Sequence, residues 1–152
     1  MTTRLDPFTA NPAAMQPWIA LGATLRDGEL DPRLQELVMT RASQINGCAF
    51  CIHHHVIDAR RFGETEDRLH LLGAWRESTL YSERERAALG WTEALTLVSE
   101  THAPDDAYEA LRRHFTEAEQ VKLTLLIGLV NVWNRIKIGF RAVHPAEQKA
   151  AA

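Results

Sequence analysis

The sequence predicts an all-α protein, a bundle of six or seven helices, and three observations carry that prediction. Apolar residues recur at helical period through most of the chain. Two capping boxes, Ser82-x-x-Glu85 and Thr116-x-x-Glu119, each open an apolar-periodic segment. No stretch alternates apolar and polar residues with turns at hairpin spacing, so strands are not expected.

The first helix is expected over residues 13–26, despite Pro17, and ends at Asp27-Gly28. Asp31-Pro32 then supplies a capping side chain and a proline at the first helical position. Leu34, Leu37, Val38, Arg41, Ala42 and Ile45 form one largely apolar side of the helix that follows. Asn46-Gly47 stops it, because glycine tolerates the left-handed conformation that ends helices. The next helix starts at Cys48 and runs to Phe62, with Gly63 as terminator, and Thr65 caps a shorter one towards Trp75. The Ser82 box opens a long helix reaching Ser99, Pro104-Asp105 a short one to His114, and the Thr116 box a last one to Ile138. Residues 1–11 and 145–152 read as tails on a single domain spanning 1–152, with its core over 13–144.

Composition narrows the function. A length of 152 residues suits one domain and a substantial core. With 17 Lys+Arg against 20 Asp+Glu, a formal charge of −3 offers no basic field to nucleic acid. The most apolar run, 123–130, is far shorter than the roughly 20 residues of a membrane span. No secretory leader is apparent, and two cysteines cannot build a disulfide-rich secreted scaffold, so a cytoplasmic protein with reducible thiols is expected.

Those cysteines, Cys48 and Cys51, lie three positions apart at a predicted helix start, with His55 one turn further on. At about 100° per residue the three fall within a sector of roughly 60°, whereas His53 and His54 point elsewhere. A thiol there feels the positive end of the helix dipole, which favours thiolate, and the pair can close a disulfide across one turn. His55 can accept or relay the thiol proton. Glu36, twelve residues before Cys48, lies on the preceding helix; an antiparallel turn at Asn46-Gly47 would bring it beside His55 to orient the ring and raise its basicity. The same Cys48, Cys51, His55 and Glu36, with His53 and His54 in reserve, form a plausible zinc set, so a metal-binding or interaction protein remains the rival.

Glu36, Cys48, Cys51 and His55 resemble the E-x(11)-C-x-x-C-x-x-x-H signature of the AhpD-like alkylhydroperoxidases of the carboxymuconolactone decarboxylase superfamily. The stretches R-A-S-Q-I-N-G-C-A-F-C-I, W-R-E-S-x-x-Y-S-E-R-E-R-A-A-L and N-V-W-N-R-I-K-I-G-F are similar to single-repeat members of that family. The resemblance implies an AhpD-like helical bundle and a thiol-dependent peroxidase without cofactor or resident metal. By position it implies Cys51 as attacking thiol, Cys48 as resolving thiol, and Glu36 and His55 as the proton relay. It implies a hydroperoxide substrate, a dithiol electron donor such as a lipoyl-bearing protein, and a closed homo-oligomer such as a hexamer. A general dithiol–disulfide oxidoreductase is the alternative within the same chemistry. The superfamily's lactone decarboxylases lack the cysteine pair, which argues against decarboxylation. Phe50 stands where the best-studied pattern has a histidine, and His53 and His54 replace an acidic residue and a methionine.

The remaining residues of note have structural readings. His53 is expected at the surface, and Trp75, Trp91 and Trp133 in the core or at subunit contacts. Asn131 and Asn134 should tie helices together, and the run 82–86 should be a solvated first turn. His70, His102, His114 and His144 have no partner spacing.

Overall fold

The computed structural model describes residues 2–144, and the expected tail 145–152 lies outside them. Among the described residues there are helices and connections and no strand. The helices are α1 (Pro7–Ala10), α2 (Pro12–Arg26), α3 (Pro32–Asn46), α4 (Ala49–Arg61), α5 (Glu66–Leu71), α6 (Glu83–Thr96), α7 (Val98–Thr101), α8 (Asp105–His114) and α9 (Glu117–Gly139). A 3-10 segment, Leu72–Glu77, follows α5. The count exceeds six or seven because α1 and α7 are single turns.

Most of the predicted starts are set by side-chain caps, whereas α8, which follows Pro104, has none. Asp31 accepts from the backbone N–H groups of Arg33 and Leu34, and both capping boxes close reciprocally. Three boundaries differ from expectation. The N-terminal tail is ordered: Asp6 caps α1, and Arg4 hydrogen-bonds the carbonyls of Phe140 and Gly139 at the end of α9. The segment after Thr65 leaves α-geometry at Leu72, where the 3-10 turns set Trp75 into the core. The helix from Ser82 breaks at Leu97, and the Thr101 hydroxyl donates to the Ala94 carbonyl across the break.

α3 is the centre of the molecule, packed against α4, α6 and α9. Leu34 and Val38 join Ala88, Trp91, Leu123 and Ile127; Met39 and Ala42 join Leu25, Leu126 and Val130; Leu37 joins Leu72, Trp75 and Leu89. It is therefore buried all round rather than along one side. Most of its buried polar groups are satisfied, the fully buried Thr40 hydroxyl being the one on this helix without a hydrogen-bond partner. Gln35 Nε2 donates to the Leu30 carbonyl, Ser43 Oγ to the Met39 carbonyl, and Glu36 is paired as described below.

Polar clamps fix the helices around α3. Asn46 Nδ2 donates to Asn131 Oδ1 at 3.0 Å and Asn134 Oδ1 at 2.8 Å, and Asn134 Nδ2 to Ser43 Oγ. The asparagines of α9 thus tie helices together, as expected. The run 82–86 does not behave as a solvated turn: Arg84 pairs with Glu119, Glu85 with Arg68, and Arg86 donates to the carbonyls of Trp75, Arg76 and Ser78. No helix among the described residues is long and apolar enough to cross a membrane.

Candidate active site

Two features of local sequence build the site. Gly47 takes a left-handed conformation, φ 68°, which reverses the chain after α3 and lays α4 antiparallel to it. Cys48 then becomes the N-cap of α4, its sulfur accepting from the Cys51 N–H at 3.4 Å. The two cysteines are paired as a disulfide with Cα atoms 5.3 Å apart, and both are buried.

One turn on, His55 lies under the same helix face, 7% exposed. Its Nδ1 is 2.9 Å from Glu36 Oε2, and Glu36 is fully buried on α3. The other carboxylate oxygen is held by Arg26, the last residue of α2. Asp58 stands 3.9 Å from Arg26 and 3.5 Å from His54 Nε2. Arg26 and His55 thus occupy the two carboxylate oxygens of Glu36, and in the tautomer that suits this pairing His55 donates through Nδ1–H and leaves Nε2 to accept. Burial, and after it the charge of Arg26, pushes the His55 imidazole down to about 4, against the pull of Asp58. At neutral pH the ring is therefore neutral and able to accept a proton, but it is a weaker base than an ordinary histidine, the reverse of the raised basicity expected from Glu36.

Cys51, His55 and Arg26 open onto a cavity of about 410 Å³ whose remaining walls are mostly apolar: Phe8, Ile19, Phe50, Leu129 and Trp133. Cys48 borders a separate cleft of about 360 Å³ with Arg4, Arg141 and His144 around it. Phe50 and Lys137 form part of both.

The structure therefore gathers Glu36, Cys51 and His55, with Cys48 bonded to Cys51. Among the described residues, no group of three or more His, Cys, Asp or Glu is placed to hold a metal ion, and Glu36 commits both oxygens to Arg26 and His55. His53 is not a free surface residue: it is half-buried and stacks on His144 at 5.2 Å. Trp75 and Trp91 are core residues, whereas Trp133 lines the cavity. Sequence reasoning missed Arg26, although a carboxylate destined for a buried helix face needs a cation, and Arg26 ends the helix just before α3. It also missed Lys137 and Phe8, which reach the site only through the packing of α1 and α9.

Comparison with known proteins places this geometry. Residues 12–94 match the family model described as the carboxymuconolactone decarboxylase family. The uncharacterised protein YdfG of Bacillus subtilis is 39% identical over 138 residues, spanning 91% of this chain and 94% of that one. A crystal structure from Agrobacterium tumefaciens, of unknown function with a suggested antioxidant-defence role as an AhpD, superposes with a TM-score of 0.92 at 47% identity. It covers 95% of this chain and 99% of that chain. A peroxidase-related protein with an alkylhydroperoxidase AhpD core from Ralstonia eutropha shares the fold, with a TM-score of 0.80 at 19% identity, over 92% of this chain and 75% of its own.

Proposed function

The chain belongs to the carboxymuconolactone decarboxylase family, on its AhpD-like side, and on that basis we propose that it is a thiol-dependent peroxidase. In this reading Cys51 attacks, Cys48 resolves, and Glu36 and His55 relay the proton. The observation that carries it is the shared cavity of Cys51 and His55, with the His55 ring held by a buried Glu36.

His55 Nε2 takes the Cys51 proton, and the thiolate attacks the terminal oxygen of a hydroperoxide. An S–O bond forms, the O–O bond breaks, and the leaving alkoxide recovers the proton as an alcohol. Cys48 then attacks the sulfenic acid; the S–S bond forms and water leaves. An external dithiol, for which a lipoyl-bearing protein is the proposed donor, reduces the disulfide by exchange and is itself oxidised. The separate cleft beside Cys48 suits that second reactant. We place this activity in the cytoplasm, in a homo-oligomer, as for single-repeat AhpD-like proteins.

The test is consumption of cumene hydroperoxide by reduced protein. Wild type should consume one equivalent and close the disulfide. Cys48→Ser should consume one equivalent and stop at a sulfenic acid that dimedone traps, and Cys51→Ser should consume none. Peroxide loss in Cys51→Ser at the wild-type rate would overturn the assignment.

A further inference from the structure

One cation in the cavity has no role in the chemistry above. Lys137 of α9 holds its ammonium over Phe50 at 4.2 Å from the ring centroid, with Phe8 at 5.4 Å and Trp133 at 5.9 Å. These rings offset part of the loss of water around the charge. Among the described residues no carboxylate lies within ion-pair reach of it. The acid whose field it feels, Asp6, is already bound to the Phe8 N–H at 3.0 Å and the Thr9 hydroxyl at 2.7 Å as the cap of α1. The other cation of the cavity, Arg26, is neutralised by Glu36. Burial pushes the Lys137 ammonium down from its ordinary range, the mark of a charge short of solvation.

The cavity therefore combines an apolar body, the Cys51 sulfur and a single uncompensated positive charge, in a volume suited to a small organic molecule. We infer that it selects apolar hydroperoxides carrying one carboxylate, with Lys137 binding the carboxylate, the rings of Phe8, Phe50 and Trp133 the apolar body, and the peroxide group lying at Cys51. Phe50 acquires a purpose in this arrangement. A ring between the two cysteines gives the cation a face to rest on and the substrate a wall. The inference deepens the peroxidase reading and rests on it for the identity of the reacting group, but the carboxylate site can be measured without turnover.

The experiment uses the full chain and the para-carboxylate of cumene hydroperoxide beside its methyl ester. Binding of the two corresponding alcohols, which cannot react, is measured first by calorimetry. Wild type should bind the acid about tenfold or more tightly than the ester, the usual scale for a charge-assisted contact. Lys137→Met should bring that ratio near one and Lys137→Arg should retain most of it. Turnover of the two hydroperoxides should then show the same acid-to-ester ratio in kcat/KM. Equal binding of acid and ester by wild type overturns the inference, as does a ratio unchanged in Lys137→Met; the wild-type comparison needs no variant to fold. Discrimination in binding with neither hydroperoxide consumed leaves the carboxylate site standing and removes the peroxidase reading instead.

Discussion

Glu36 is a fully buried carboxylate answering to two partners, Arg26 on α2 and His55 on α4. Burial dominates the titration of the His55 imidazole, the charge of Arg26 pushes the same way, and Asp58 opposes them. The consequence is a stability that depends on pH. His55 titrates at about 4 in the folded chain, below the roughly 6.5 of an unperturbed histidine. Between those values the unfolded chain binds a proton that the folded one does not, so stability is full above about 6.5 and is lost as pH falls through about 4. The expected loss is about 3 kcal/mol. Urea unfolding across that window should show the slope in wild type and a shallower one in His55→Gln. An imidazole resonance titrating near its unperturbed value would contradict this account. The four residues Glu36, Cys48, Cys51 and His55 were legible in the sequence because helical period and one short turn bring them together. Arg26, Phe8 and Lys137 were not, because their approach depends on how α1, α2 and α9 dock, and no spacing rule spans that distance along the chain.

The turn between α3 and α4 shows what a single backbone conformation contributes to the site. Gly47 sits at φ 68° with the Cys48 N–H donating to the Ser43 carbonyl at 3.0 Å, and a Cβ added at Gly47 would meet open space. Any penalty from Gly47→Ala is therefore conformational rather than steric, and should amount to about 1 kcal/mol, with Gly47→Asn costing less because asparagine tolerates the left-handed region. Thermal or urea unfolding of the two variants checks both the size and the order; a larger loss for asparagine than for alanine would be inconsistent with a purely backbone origin. The helix starts at Asp31, Ser82 and Thr116 were readable because a cap is a local event between residues two or three apart. Interior breaks were less so. Nothing in the composition around Leu97 forbids a helix, and the break there involves a hydrogen bond from Thr101 to the Ala94 carbonyl, together with left-handed conformations at His102 and Ala103. The single turn at Pro7–Ala10 was hidden for a similar reason: its Asp6 cap is ordinary, but its order comes with Phe8 stacked on Trp133 and Arg4 bonded to the end of α9.

The chain as a whole leaves apolar surface exposed in a pattern that a monomer has no use for. α2 is a fifteen-residue helix in which only Met15 and Leu25 are buried, although most of its residues are apolar. On α9, Val121 is 61% exposed, Leu125 49% and Val132 36%. With Gly128, which is also exposed, they lie four, seven and eleven positions along from Val121 and so share one side of the helix. A continuous apolar stripe of this kind needs covering. The proposed homo-oligomer supplies the cover at least expense, because a two-fold axis lets one stripe meet its own copy and glycine allows the helices to approach closely. Sedimentation of wild type at micromolar concentration should then give a mass well above the 17.2 kDa of one chain. Val121→Glu combined with Leu125→Glu should shift it towards the single chain while leaving helical content intact, since both side chains point away from the core. A wild type that sediments as one chain, or a double variant that keeps its assembled mass, would show that this face of α9 is not what joins the copies. The two substitutions lie more than two turns from Trp133 and Lys137 on the same helix. Loss of assembly without loss of peroxide consumption would then show that each chain carries a complete reaction centre, and loss of both together would show that assembly holds the cavity in its working shape.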